Sequence, residues 1–187
     1  EAETAGRLEE AARLYSAGSK DHPDYVELHH RLGQIHYDKR DYDRAIAELE
    51  SVQAAPEVQE LVFKQYAIVY TNLGKAYYAK GAEVFRANRN DAVQHFAKAV
   101  KALDRARENT RFFPNERHDE AVHDTYYYRA LAYHNLYDAT RREALATTVE
   151  FAWHEYLDQF PSTLRGKPEY EQLRESAEKM AKQVQGK

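Results

Sequence analysis

Cysteine is missing from all 187 residues. That excludes disulfides, thiolate zinc sites and a cysteine nucleophile. It leaves the compartment open, because an oxidising one tolerates a cysteine-free chain. Glycine and proline are scarce, at seven and five residues, so phosphate-cradling glycine loops have no material and long stretches run uninterrupted. No run approaches the ~18 consecutive apolar residues of a membrane span. Glu1 to Gly6 has neither the basic nor the apolar region of a signal peptide. Charge of one sign is nowhere concentrated. Twenty-seven basic and 31 acidic residues give a net charge of −4, and the densest arginines, Arg105, Arg107 and Arg111, are interleaved with Asp104 and Glu108. They read as a solvated helix face, and no nucleic-acid partner is expected.

What is present favours helix. The composition is 43% hydrophobic and 31% charged, which argues against disorder, and long segments are rich in Ala, Glu, Leu, Lys, Arg and Gln. One ordered set of residues recurs. His29-x-x-Leu32-Gly33-x-x-His36 is followed by Ala45-x-x-x-Leu49 and Val52. Tyr70-x-x-Leu73-Gly74-x-x-Tyr77 is followed by Ala92-x-x-x-Phe96 and Ala99. A looser copy has Tyr126-x-x-Arg129-Ala130-x-x-Tyr133, then Val149-x-x-x-Trp153, Tyr156 and Pro161. Ahead of them stands a lone second helix with Gly6-x-Leu8, Ala11-x-x-x-Tyr15, Gly18 and Pro23. Small residues let antiparallel helices approach, and large ones at i, i+3, i+4 and i+7 fill the groove between them. One such pair cannot bury its apolar face alone, so stacked neighbours complete the core.

This ordered set resembles the tetratricopeptide repeat family over nearly the whole chain, and the turn Tyr37 to Ala45 looks like that family's inter-helix turn. The resemblance implies an all-α, right-handed solenoid of antiparallel helix pairs. It divides as a half repeat over 1–23, a repeat over 24–56, extended repeats over 57–111 and 115–161, and a capping helix over 167–185. Because the pattern opens on a second helix, a preceding first helix is expected to be absent, disordered or supplied by a partner. Trp153 to Thr163, with Phe160-Pro161-Ser162, is similar to repeat ends in bacterial extracytoplasmic members such as outer-membrane assembly lipoproteins. That likeness points to the periplasm, with the cytoplasm as the alternative.

Departures carry their own expectations. Gly74 to Ala92 is six residues longer than Gly33 to Ala45. Apolar residues from Val58 to Val84 keep helical period, which predicts one long helix from Glu57 to Ala87. The next helix overruns through Arg105 to Arg111 until Phe112-Phe113-Pro114 stops it. Arg129 stands where leucine is usual, and the turn after Tyr137 is lengthened. Repeats two and three should project beyond an ideal solenoid, as a subunit interface, as a partner surface or by drift. At the end, Tyr170, Leu173, Ala177, Met180 and Val184 form one apolar stripe of a solvating cap.

In the family's fold the first helix of each pair lines the concave surface. The lining is expected to include His30, Gln34, Tyr37, Thr71, Lys75, Tyr78, Tyr127, Leu131 and His134, an amphipathic groove for a peptide or helix. Many of the 15 tyrosines are equally read as packing residues. Some family members clamp acidic C-terminal peptides with Lys and Asn here. The matching positions carry His30, Gln34, Thr71 and Lys75, so the two-cation clamp is incomplete.

Nine histidines raise a metal reading. Glu27/His30 and Glu120/His123 are Glu-x-x-His pairs of the kind that build di-iron bundles, but they fall in different repeats and lack the two further inward glutamates. His118 and His123, on the linker before repeat three, are five apart, off one helical face, so no zinc motif is formed. No metal and no cofactor are expected. A nucleophile elbow and a dinucleotide fingerprint are absent, and no enzyme is expected. The function expected is an adaptor or assembly subunit that binds a protein partner, on its own or within a larger complex. The alternatives are a metal- or small-ligand-binding protein using the histidines, and a purely architectural subunit docked through its convex face and ends.

Overall fold

A computed structural model describes residues 7–55, 58 and 67–185. Among the described residues these helices follow one another: α1 (Leu8–Asp21), α2 (Val26–Asp38), α3 (Tyr42–Ala54), α4 (Ile68–Val84), α5 (Arg89–Arg107), α6 (His118–Thr140), α7 (Ala146–Asp158) and α8 (Pro168–Gln185). Among the described residues there is no strand. Each helix packs on the next, and α2, α4 and α6 also touch one another in series. The result is an all-α, tetratricopeptide-like solenoid whose first helices form one side.

Local chemistry sets the boundaries. The Asp41 carboxylate accepts from the Arg44 amide at the start of α3, and Asn88 accepts from the Asp91 amide at the start of α5, at 3.4 and 3.1 Å. Both satisfy amides that a helix start leaves unpaired. The α-helix of α5 ends at Arg107, four residues short of the expected Arg111, and continues as a 3₁₀ turn over Thr110–Phe112. Phe113 then takes an extended backbone, ψ 148°, as the following proline demands. Of the long helix expected over Glu57 to Ala87, Ile68–Val84 is helical. The stretch before it, apart from Val58 and Ala67, lies outside the described residues. At its far end Phe85 to Ala87 form a turn, with the Phe85 ring 6.1 Å from Phe96. His118 and His123 are not on a linker; both belong to the 23-residue α6.

The small-to-large contacts are as tight as the repeat pattern demands. A Cβ built on Gly33 would lie 2.6 Å from Leu49 Cγ, and one on Gly74 would lie 2.8 Å from Leu103 Cδ2. Gly81 would likewise meet Phe96, at 2.7 Å. Gly74 and Gly81 are two helical turns apart, and so are Leu103 and Phe96. The extra length of this hairpin therefore repeats the contact instead of projecting. Leu103, and Ala106 in the overrun, are 0% exposed. Burying a leucine of this kind stabilises by about 1.5–3 kcal/mol.

Arg129, in the leucine position of α6, is also buried. Its guanidinium reaches Asp104 Oδ1 at 2.6 Å and Glu155 Oε2 at 2.9 Å, and Tyr133 donates to Asp104 Oδ2 at 2.8 Å. Arg107 binds the other Glu155 oxygen. Arg107 is thus part of an ion network joining α5, α6 and α7, not of a solvated face. Arg105 pairs with Glu108 at the surface, as expected of such a face. At the end of the stack α8 buries Ala177 and Ala181 and sets the Tyr170 ring 4.7 Å from His123. Glu169, Gln172, Glu175 and Lys179 are exposed on its other side.

Candidate functional site

The first helices meet along a cleft of about 160 Å³, walled by Arg31, Gln34, Tyr37 and Asp38 of α2, Asn72 and Lys75 of α4, and Arg117 just before α6. A second hollow of about 170 Å³ shares Arg31, Gln34 and Arg117 and continues past Glu27 to Ile68 and Pro114. The two form one groove running along α2.

Of the nine residues expected to line the inner face, His30, Gln34, Tyr37 and Lys75 do so. Tyr78 lies beside them, its ring 5.5 Å from Tyr128 and its hydroxyl 3.2 Å from the Asn135 amide nitrogen. His30, at the edge of the second hollow, and Thr71 are buried in the seams between first helices. Thr71 is 1% exposed and hydrogen-bonds the Thr125 hydroxyl at 2.7 Å, which itself donates to the Ala121 carbonyl. His30 sits 2.9 Å from Asn72 Nδ2. Burial, aided by the Arg31 charge, lowers its pKa to about 4. The ring is therefore neutral, and its Nε2 accepts from the Asn72 amide. Tyr127, Leu131 and His134 turn elsewhere. Tyr127 stacks on His123 and touches Trp153 and Tyr156, and burial pushes its hydroxyl up to about 12. His134 Nδ1 accepts from the Trp153 indole at 3.1 Å. Leu131 packs against the core.

The residues lining the groove are Glu27, His30, Arg31, Gln34, Tyr37 and Asp38 on α2, then Ile68, Asn72 and Lys75 on α4. On α6 the groove-side residues are Asp124 and Tyr128. Arg31, Asn72 and Tyr128 each follow by one residue the expected His30, Thr71 and Tyr127. A one-residue offset rotates a helical face by about 100°, so a set built on His30, Thr71 and Tyr127 leaves out Arg31, Asn72 and Tyr128. An i, i+4 reading of Asp124-x-x-x-Tyr128 contains the signal.

Lys75 is the electrostatic centre of this surface. Its ammonium hydrogen-bonds Asp124 and stands 5.6 Å from the Tyr37 ring centroid and 5.3 Å from that of Tyr128. Burial pulls the Asp124 carboxyl upward, but the His123 hydrogen bond and the Lys75 charge outweigh it and hold its pKa below the usual carboxylate value. Burial raises the Tyr37 and Tyr128 hydroxyls, which stay protonated at neutral pH. Arg31 is held by Glu27 at 2.7 Å, and Arg117 faces Glu120 at 3.4 Å.

The Glu-x-x-His pairs are engaged in other contacts. Glu27 serves Arg31 and Glu120 serves Arg117, while His123 Nε2 lies 3.1 Å from the Tyr156 hydroxyl. Among the described residues no three His, Asp or Glu side chains converge as a metal site would need, and no helix is long and apolar enough to cross a membrane.

Residues 3–64 match the family model of the tetratricopeptide repeat. No curated protein matches the chain.

Proposed function

Taking as premise that the chain carries tetratricopeptide repeats, a family that is typically non-catalytic, we propose that it is a non-enzymatic scaffold or assembly subunit whose protein partner lies in the groove along α2. The observation behind this reading is the groove itself. Side-chain amides (Gln34, Asn72), guanidinium groups (Arg31, Arg117) and a tyrosine (Tyr37) face one continuous hollow from three consecutive hairpins. Such a mixture of donors, acceptors and ring surface suits a peptide or helix, where polar groups orient the ligand and aromatic area supplies contact energy.

A photo-crosslinking residue placed at Gln34 tests it, with Lys179 on the exposed side of α8 as the control position. A partner protein joined from position 34 and lost when Arg31 and Asn72 are both changed to alanine supports the groove. Adducts from position 179 but none from position 34 reject it. They would favour the architectural reading instead, for which the exposure of Phe151 on α7, 55%, is the motivating feature.

A further inference from the structure

Three first helices converge on one ammonium group. Tyr37 belongs to α2, Lys75 to α4, and Asp124 and Tyr128 to α6. The hairpins of α2 and α6 are not neighbours in the stack, yet their tyrosines face the same cation from two sides. The Tyr128 and Tyr37 hydroxyls also hydrogen-bond each other. Two ring faces and a carboxylate are what a cation-recognition site is built from. Here the seat is filled from within, and Lys75 and Asp124 are only 20% and 28% exposed.

We propose that Tyr37, Tyr128 and Asp124 form a binding seat for a basic side chain, filled in the free chain by Lys75, which latches the inner face closed across three hairpins until a partner's lysine or arginine takes its place. The resident is tethered and competes at an effective concentration of roughly millimolar order. A displacing side chain must therefore come on a partner that gains further contacts, and the adjoining groove past Gln34 and Asn72 supplies them. This rests on the reading of the inner face as the partner surface. The test needs no partner, so it can fail while that reading stands.

Because the native sequence has no cysteine, Ala17→Cys and Lys179→Cys, at exposed positions on α1 and α8, take nitroxide labels uniquely and report the span of the stack by dipolar spectroscopy. Lys75→Ala should lengthen and broaden the distance distribution by several ångströms. Adding n-butylammonium chloride should shorten it again, whereas sodium chloride at equal ionic strength should not. A Lys75→Ala span equal to that of the parent overturns the latch. A lengthened span that butylammonium leaves unchanged overturns the seat. Lys75→Met keeps the apolar stem and removes only the charge, so it gives the same reading if the alanine variant fails to fold. Loss of helicity in both variants would assign the contact to folding and would equally overturn the proposal.

Discussion

Gly33 lies against Leu49 with no room for a methyl group, since a Cβ at this position would stand 2.6 Å from the leucine Cγ. Cγ is a branch point close to the backbone of α3, so it cannot swing aside as a side-chain tip would. Alanine favours a helix over glycine by about 1 kcal/mol, but forced overpacking costs about 1–3 kcal/mol. Gly33→Ala is expected to lose stability in urea denaturation. Gly18→Ala, whose Cβ meets only the two terminal methyls of Leu28, at 3.2 and 3.7 Å, should be neutral or stabilising. Equal effects at the two sites would refute the notch.

The network around Arg129 makes a separate prediction. Arg129 and Glu155 side chains are 8% and 13% exposed. Removing one member of a buried ion pair leaves its partner desolvated and costs about 3–5 kcal/mol. Arg129→Ala should fall at the low end, because Arg107 still holds Glu155. Replacing Arg129 and Glu155 together by leucine and methionine should recover most of the loss. Failure of the double variant to recover would mean that the ions are needed for more than filling space.

Stability should also depend on pH through His30. The folded pKa of about 4 lies below the ordinary 6.5. Between these values the unfolded chain binds a proton that the folded chain refuses, so stability present above pH 6.5 is lost as pH falls toward 4. The full effect is up to about 3 kcal/mol. His30→Gln, which keeps an acceptor for Asn72, should flatten this part of the profile relative to the parent. Parallel profiles in urea would show that His30 is accessible to protons in the folded state.

Tyr170 offers a test of local cooperativity. It docks α8 onto His123, and in a stack of hairpins each element depends chiefly on its neighbours. Tyr170→Ala should speed amide hydrogen exchange in α8 and the end of α7 while leaving α2 and α3 unchanged. Uniform acceleration along the chain would mean that the stack unfolds as one unit.

The repeat was legible because its signal is steric and local. Gly33 with Leu49, and the fully buried Ala45, Ala92 and Ala99, follow from spacing alone. The inner face was half legible. His30, Gln34, Tyr37 and Lys75 line it, but Thr71 sits in a seam because neighbouring first helices press together along that edge. Such side-to-side packing depends on the angle between hairpins, which no single helix encodes. Arg129 was visible as an oddity in the sequence. Its partners, Asp104 and Glu155, lie 25 and 26 residues away and only the stacked chain brings them together. The second notch of α4 is just as local, since Gly81 follows Gly74 by the same interval that separates Phe96 from Leu103.

That doubled notch also counts register. With a single glycine, α5 could slide along α4 by two turns and offer another large residue to the same gap. With two, a slide in either direction leaves one gap facing Arg89 or Thr110 and strands a ring or a leucine outside. Hairpin length in this stack can therefore change only in paired steps of two whole turns, one on each arm. Repeats of unequal size can then share one spine without disturbing the layers on either side.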